Sequence, residues 1–283
     1  MPLNSPALCV DPLVHPVSPA VRADIEQRLS AIESDHGVRV LYACESGSRG
    51  WGFASPDSDY DVRFIYVAPL SRYLSVTPQR DVVELPISDE LDINGWDLRK
   101  ALGLLRRGNA TLIEWLDSPI VYRADAIFLQ DVRRLARDTH QAERSFLHYL
   151  HMAKKNYRDY LRGDMVRLKK YLYVLRPLLA ALWIEQGRGT APMPFQQLVD
   201  AIVTDPELRL AIEELLIIKR AAMESEQATP MPAINAFVDK ELARLGMLSP
   251  VVPHDMDFAG LDTLMLDTVV RCDPTISATV AQR

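Results

Sequence analysis

The hydrophobic pattern of the 283-residue chain changes once, from short runs typical of strands to longer periods typical of helices. Between residues 38 and 95, apolar residues come in short runs that are rich in β-branched and aromatic side chains. From Asp97 onward, they recur at helical spacing. This order predicts an α+β fold in which a strand-bearing part precedes an all-helical part. The predicted strands are 38–44, 59–67, 81–87 and 91–95.

Capping residues and prolines define the predicted helices and domains. Ser18 followed by Pro19 predicts a helix start, and Gly37 predicts its end. Asp97 and Asn109 are predicted to cap two shorter helices. Those helices are expected at 98–107 and 110–116, and longer ones at about 128–138, 141–162, 164–187, 206–226 and 232–246. The predicted organisation is a Pro-rich arm at 1–17, a strand-bearing domain at 18–138 and a helical domain at 139–283.

The composition fits a globular protein that binds nucleic acid at most locally. Apolar residues make up 48% of the chain and charged residues 25%, which allows a hydrophobic core. The net charge of −6 argues against a surface that coats nucleic acid, but leaves a local basic groove open. The most apolar stretch, 172–183, is too short to cross a bilayer, so no membrane association is expected. The three cysteines match no zinc or disulfide spacing, so we expect free thiols and a cytoplasmic protein.

Three aspartates are the candidate metal ligands. Asp59 and Asp61 lie two residues apart in a predicted strand, so their side chains share one face. Adjacent carboxylates repel each other unless a cation or a proton intervenes, and their hard oxygen atoms suit Mg²⁺ or Mn²⁺. Asp92, in the strand at 91–95, is the best candidate for a third ligand. Such a triad could hold two ions for an in-line displacement. The alternative candidates for the third ligand in this part of the sequence are Asp89, Glu90 and Asp97.

Gly47 and Ser48 are the candidate phosphate-binding residues. They follow the first predicted strand, where a helix is expected to begin, and the first N–H groups of a helix favour phosphate oxygens. Glycine lets the backbone approach closely. Arg63 lies on the same predicted strand face as the aspartate pair. Arg49 and Arg63 could each contact a phosphate or form a structural ion pair.

The stretch from Lys154 to Arg176 is strongly basic, with eight basic residues against two acidic ones. Lys169 and Lys170 are candidates to hold a triphosphate or an RNA backbone if this helix faces the cleft. The alternative is a solvated helical face. Tyrosines among these bases could stack on nucleic-acid bases, although their helical spacing is more typical of core residues. They are Tyr157, Tyr160, Tyr171 and Tyr173.

These motifs together resemble those of a known superfamily. A Gly-Ser pair, an interval of about ten residues, Asp-x-Asp on a strand and a later acidic strand resemble the signature of the DNA polymerase β superfamily. The longer segments resemble the RNA-ligase-associated nucleotidyltransferases within it; they are GSRGWGFASPDSDYDVRFIYV, ELDINGWDLRKALGLL and KKYLYVLRPLLAALW. The resemblance spans most of residues 38–185. It implies a nucleotidyltransferase domain with a mixed β-sheet and flanking helices, followed by an all-helical domain.

The same resemblance implies the roles of five residues. Gly47 and Ser48 would bind phosphate, and Asp59, Asp61 and Asp92 would bind two Mg²⁺ or Mn²⁺ ions. The function that follows is transfer of NMP from an NTP to an acceptor hydroxyl, with an RNA end favoured by the family and by the basic segment. Two alternatives stay open. One is the same chemistry on a protein or a small molecule, such as AMPylation, and the other is a non-catalytic nucleotide-binding regulator.

Overall fold

A five-stranded mixed sheet forms the centre of the first part of the chain. The computed structural model describes residues 17–88, 90–221, 227–248 and 256–273. The strands are β1 (Arg39–Glu45), β2 (Tyr60–Val67), β3 (Val82–Glu84), β4 (Leu91–Asp97) and β5 (Val121–Ala124). Their order is β3-β4-β2-β1-β5, and β2 runs parallel to β4 whereas the other pairs are antiparallel. The four predicted strands therefore join one sheet, which β5 completes. The predicted Pro-rich arm lies outside the described residues, apart from residue 17.

Helices flank this sheet, and side chains that the sequence singled out cap several of them. The helices before residue 139 are α1 (Pro19–His36), α2 (Gly47–Trp51), α3 (Leu70–Tyr73), α4 (Leu98–Arg106), α5 (Ala110–Leu116) and α6 (Ala126–Asp138). The Ser18 hydroxyl accepts a hydrogen bond at the start of α1, and Gly37 ends this helix with φ at 59°. Asp97 and Asn109 cap α4 and α5 with their side chains, which confirms both predicted helix starts.

The described residues after 139 are mostly helical. The helices are α7 (Ala142–Tyr160), α8 (Lys169–Glu185), α9 (Phe195–Ile202), α10 (Pro206–Ala221), α11 (Pro232–Gly246) and α12 (Ala259–Cys272). None of the helices within the described ranges is long and apolar enough to cross a membrane. Two short strands, β6 (Val166–Arg167) and β7 (Gln227–Ala228), pair antiparallel.

This pairing corrects one predicted helix. The helix expected at 164–187 is wrong at its start, because pairing with a distant segment holds residues 166–167 extended and α8 begins only at Lys169. The helix expected at 206–226 corresponds to α10, which ends at Ala221, and its remaining residues lie outside those described. The sequence analysis did not predict α9 or α12.

Apolar side chains cover both faces of the sheet. On one face, Val62 and Phe64 of β2 pack in a cluster with Leu29 of α1. On the other face, Ile65 packs in a cluster with residues of α4, α5 and α6. Because strand residues alternate between faces, Asp61 points away from the α1 side.

The helix α12 packs against the first part of the chain, although it comes last among the described elements. Leu261, Leu264 and Val269 lie in the same buried cluster as residues of α4, α5 and α6. Arg271 pairs with Asp125, the N-cap residue of α6, at 2.7 Å. The domain boundary near residue 138 stays a prediction, and α12 adds to the core that precedes it.

A buried ion pair joins α8 to α5. Arg176 Nη1 lies 2.7 Å from Glu114 Oε1, and the side chains are only 3% and 9% exposed. Tyr149 of α7 donates a hydrogen bond to the same carboxylate oxygen at 2.7 Å. The pair therefore connects the helical part of the chain to the helices behind the sheet.

Replacing Arg176 with methionine is expected to lower the free energy of unfolding by about 3–5 kcal/mol, because Glu114 would keep a buried charge without its partner. Urea unfolding followed by circular dichroism measures this. The matched control is Arg134→Ala, which removes an exposed pair with Asp131 and should cost less than about 1 kcal/mol. Equal losses in the two variants would contradict the prediction.

Candidate active site

Asp61 and Asp92 lie side by side on the central parallel strands. The register of β2 with β4 pairs Asp61 directly with Asp92. Arg63 Nη2 lies 2.8 Å from Asp61 Oδ1 and 2.7 Å from Asp92 Oδ2. Arg63 also donates through Nη1 to the carbonyl oxygen of Asp92 at 2.9 Å. Of the two roles that the sequence left open for Arg63, these contacts favour the structural ion pair.

Asp59 lies immediately before β2 and is exposed to solvent. Burial raises the pKa of Asp61, the charge of Arg63 lowers it, and the charges of Asp92 and Asp59 raise it. The charges of Asp59 and Asp92 therefore both repel the charge of Asp61, which lies on a central strand of the sheet.

The donor set fits a hard cation by its chemistry. Carboxylate oxygens are the ligands that Mg²⁺ and Mn²⁺ prefer, and a cation would relieve the repulsion at Asp61. Within the part of the chain that the structure describes, no three carboxylate, imidazole or thiol groups converge as a ready metal site. The charge of Arg63 instead balances Asp61 and Asp92. Metal binding at the three aspartates therefore stays a prediction.

Gly47 begins α2 and lies directly against the Asp61 carboxylate. Its φ angle is 55°, in the left-handed region that favours glycine. A Cβ atom added to Gly47 would lie 1.9 Å from Asp61 Oδ2. Ser48 follows as the second residue of α2 and is 8% exposed. Gly47 at the start of α2 is therefore in direct contact with Asp61, and phosphate binding by the Gly-Ser pair stays a prediction.

Arg49 is buried beneath this site rather than exposed to it. Only 2% of its surface is exposed, and Nη2 donates to the carbonyl oxygen of Ser58 at 2.6 Å. Its guanidinium lies 3.9 Å from the centre of the Tyr60 ring. These contacts favour a structural role for Arg49, because a phosphate contact would require the side chain to leave its buried position.

The loop that leads to Asp59 is held by the helical part of the chain. Lys219 of α10 is buried and donates to the hydroxyls of Ser55 and Ser58. Arg220 donates to the carbonyl oxygen of Gly52 at 3.2 Å. The sequence analysis missed this contact, since Lys219 follows an ordinary helical pattern with no motif around it.

Glu45, the last residue of β1, is a second residue that the sequence analysis missed. It is fully buried, accepts a hydrogen bond from the Asp61 backbone N–H at 2.9 Å, and accepts another from the Tyr122 hydroxyl. Burial raises the pKa of Glu45 to about 7. The available signal was a carboxylate directly after the apolar run of residues 40–44.

The start of α8 lies beside α2. Lys170 Nζ is 4.2 Å from the centre of the Tyr160 ring and 4.9 Å from that of Tyr173. The Tyr173 ring in turn packs edge-on against Trp51 at 5.7 Å. Lys170 and its neighbour Lys169 are both partly exposed, and their contact with a triphosphate or RNA stays a prediction.

The rest of the basic segment divides between core and surface. Arg176, the last basic residue of the segment, is paired with Glu114 inside the protein, where a buried carboxylate requires a partner. Tyr157 and Tyr171 are core residues. Tyr160 is 44% exposed and Tyr173 is partly exposed, so Tyr160 is the most exposed of the four tyrosines.

A mixed sheet with facing aspartates on its parallel strands, beside a Gly-Ser helix start, has the architecture of a nucleotidyltransferase. The family model of the RNA repair pathway DNA polymerase beta family matches residues 21–267, and the chain belongs to this family. Family membership makes the protein a nucleotidyltransferase and disfavours the non-catalytic alternative.

Individual proteins are also similar to the chain, among them the following two. The uncharacterized protein YcgL of Bacillus subtilis (strain 168) is 46% identical over 221 residues, which cover 78% of this chain and 85% of that protein. A nucleotidyltransferase-like protein of known crystal structure, from Exiguobacterium sibiricum 255-15, aligns over 87% of this chain and 76% of its own. Its sequence identity is 14% and its TM-score is 0.29.

Proposed function

We propose that the protein transfers a nucleoside monophosphate from an NTP to a hydroxyl at an RNA end and releases pyrophosphate. The observation that carries the proposal is the direct pairing of Asp61 with Asp92 on parallel strands, with Gly47 against the Asp61 carboxylate. This pairing brings together carboxylates and a backbone segment that suits phosphate oxygens.

Each residue of the site has a separate role in the proposed in-line displacement. The acceptor oxygen attacks the α-phosphorus, the bond from that phosphorus to the pyrophosphate oxygen breaks, and Asp92 accepts the acceptor's proton. Gly47 and Ser48 contact the phosphates, and Asp59, Asp61 and Asp92 would hold two Mg²⁺ or Mn²⁺ ions. Such ions, when bound, lower the pKa of the acceptor hydroxyl and neutralise charge on the departing pyrophosphate. Arg63 balances Asp61 and Asp92 when no other cation does.

The acceptor is proposed to be RNA because of the surface between α7 and α8, which we call the basic elbow and define as residues 158–170. The side chains of Arg158 and Arg162 are 73% and 65% exposed, and Arg167 is also exposed. Tyr160 adds an accessible ring among these cations. Clustered cations with an exposed aromatic ring suit a single-stranded backbone and an unstacked base.

The function is tested by incubating the protein with each of the four NTPs, labelled at the α-phosphate, in Mg²⁺ or Mn²⁺. Short RNAs with 3′-hydroxyl ends and a cell lysate serve as separate acceptors. We expect RNA products longer by whole nucleotides on a denaturing gel, with matching release of pyrophosphate. Label that enters only proteins or small molecules would overturn the RNA acceptor while keeping the nucleotidyltransferase reaction.

The basic elbow gives a separate prediction. The double substitution Arg162→Glu and Arg167→Glu is expected to weaken binding of a fluorescent single-stranded RNA by more than about tenfold at low salt, because charge reversal replaces attraction to phosphate with repulsion. Tyr160→Ala should weaken binding by about fivefold or more through lost stacking. Fluorescence anisotropy measures both effects.

The matched control reverses two exposed arginines of α6, Arg134 and Arg137, which lie outside the basic elbow. This variant should bind RNA within about twofold of the unmodified protein. An equal loss in the control and in the elbow variants would mean that net charge alone determines binding.

A further inference from the structure

The side chain of Glu45 replaces a missing backbone acceptor where β1 ends. In an antiparallel ladder, opposed residues that form a hydrogen-bonded pair exchange two bonds, each donating its N–H to the carbonyl oxygen of the other. The N–H of Ser46 donates to the carbonyl oxygen of Asp61 at 2.8 Å, which is the first of these bonds. The carbonyl oxygen of Ser46 instead accepts from Gly50 N at 3.1 Å, inside α2. The Asp61 N–H therefore donates to Glu45 Oε1, at 2.9 Å.

The carboxylate of Glu45 is itself held in place, so it can fix the position of the Asp61 peptide. The residue is fully buried, and its carboxylate accepts hydrogen bonds from β2 on one side and β5 on the other. Its second carboxylate oxygen accepts from the Tyr122 hydroxyl on β5. Arg22 of α1 covers the Tyr122 ring, with its guanidinium 5.0 Å from the ring centre. The carboxylate is thereby anchored on one side and binds the Asp61 peptide on the other.

The Asp61 carboxylate has little tolerance for displacement. Its Oδ2 atom occupies the space where a side chain of Gly47 would be, and its Oδ1 atom bonds to Arg63 at 2.8 Å. A shift of the Asp61 backbone would therefore move the carboxylate relative to both α2 and Asp92. Supporting groups that orient ligand carboxylates commonly change metal affinity or activity by about 10–100-fold when removed.

We propose that Glu45 is a positioning residue for nucleotidyl transfer, which holds the Asp61 peptide so that its carboxylate faces Asp92 and the start of α2. The inference rests on the proposed function of the aspartates. Glu45 acts through its acceptor oxygen and its shape, so glutamine can replace it. The amide oxygen of glutamine accepts from Asp61 N–H, and its NH₂ group donates to the Tyr122 hydroxyl oxygen.

The test compares Glu45→Leu, which removes both hydrogen bonds, with Glu45→Gln, which can keep them. Binding of Mn²⁺ to each protein, without nucleotide, is followed by electron paramagnetic resonance, and kcat and KM for the NTP are measured separately. We expect Glu45→Leu to weaken Mn²⁺ binding and lower kcat by about 10–100-fold each, with a smaller change in KM. Glu45→Gln should stay within about threefold of the unmodified protein.

Glu33 supplies a matched control, because its Oε1 atom also accepts from a backbone N–H of β1, that of Val40, at 2.7 Å. Glu33→Leu removes a comparable bond far from Asp61 in the strand register and should leave Mn²⁺ binding and kcat unchanged. If Glu45→Leu does not fold, Tyr122→Phe replaces it. That variant removes only the anchoring hydroxyl, so a loss of about 3–10-fold is expected in Mn²⁺ binding.

Unchanged Mn²⁺ binding in Glu45→Leu, or in Tyr122→Phe where the leucine variant does not fold, would overturn the proposal. So would an equally large loss in Glu45→Gln, because the charge rather than the acceptor would then be the important property. If the unmodified protein binds Mn²⁺ but modifies no acceptor, the proposed function fails. The Mn²⁺ measurements still decide the role of Glu45 in that case.

Discussion

Replacing Asp61 with asparagine is expected to abolish nucleotidyl transfer, with kcat lowered by about 10³-fold or more. Asp61 is the central carboxylate of the site, since it is paired with Asp92, bonded to Arg63 and in contact with the start of α2. Asparagine has the same shape but carries no charge, so it loses the attraction to a cation and to Arg63. A metal ion held by such a carboxylate stabilises charge in the transition state by several kcal/mol, and losing that stabilisation corresponds to a fall in rate of about this size.

The fold should survive this substitution, and the direction of the pKa shift explains why. Burial raises the pKa of Asp61 above its ordinary value of 3.8, so the folded protein binds this proton more tightly than the unfolded chain does. Stability therefore falls as the pH rises through the raised pKa, and at pH 7 the ionised carboxylate destabilises the fold. Asp61→Asn removes this cost, so we expect a thermal unfolding midpoint at pH 7 no lower than that of the unmodified protein.

The matched control for activity is Asp81→Asn, which changes an exposed carboxylate paired with Lys100 near the sheet edge. Its kcat should stay within about twofold of the unmodified protein, because a surface pair contributes little. If the folded Asp61→Asn variant keeps more than a tenth of the original kcat, the reaction takes place elsewhere.

Gly47→Ala is expected to lower kcat by about 100-fold or more. The new Cβ would lie 1.9 Å from Asp61 Oδ2, so either α2 or the carboxylate must move. A misplacement of about 1 Å at a reacting centre can cost about 10²-fold in rate. Steady-state kinetics with RNA and NTP measure the change, and thermal unfolding shows how much of it reflects loss of fold.

Gly187→Ala separates the steric effect from backbone strain. Gly187 has φ at 70°, also in the left-handed region, but a Cβ there would meet no atom within 4 Å. Both variants therefore carry the strain of about 1–2 kcal/mol expected for an L-residue in this conformation, and only Gly47→Ala carries the clash. A comparable fall in kcat in the two variants would refute a specific role of Gly47 at the site.

The strand pattern carried enough information to place Asp61 and Arg63 on one face. Alternation predicted this arrangement, and the ion pair between the two side chains agrees with it. The pairing of Asp61 with Asp92 could not be predicted from alternation alone. It depends on which strands are neighbours and on a parallel register, and neither follows from the local pattern of β2 or β4. The resemblance to a known family, rather than spacing alone, favoured Asp92 over its neighbours.

Contacts that depend on distant segments escaped prediction from sequence. Arg49 follows the Gly-Ser pair directly, yet its burial under Tyr60 depends on the path of the loop that leads to Asp59. Strand β5 has only four residues, too few to show a clear alternation. Glu45 becomes notable only once β5 supplies Tyr122 and α2 occupies the Ser46 carbonyl.

The position of α12 has a consequence for biosynthesis. Synthesis proceeds from the N-terminus, so the sheet and α4 to α6 leave the ribosome well before Leu261, Leu264 and Val269 exist. Until those side chains arrive, the apolar surface that they cover stays open to water or to chaperones. We therefore expect the sheet-bearing half to reach its full stability only after translation has passed residue 272, despite being made first.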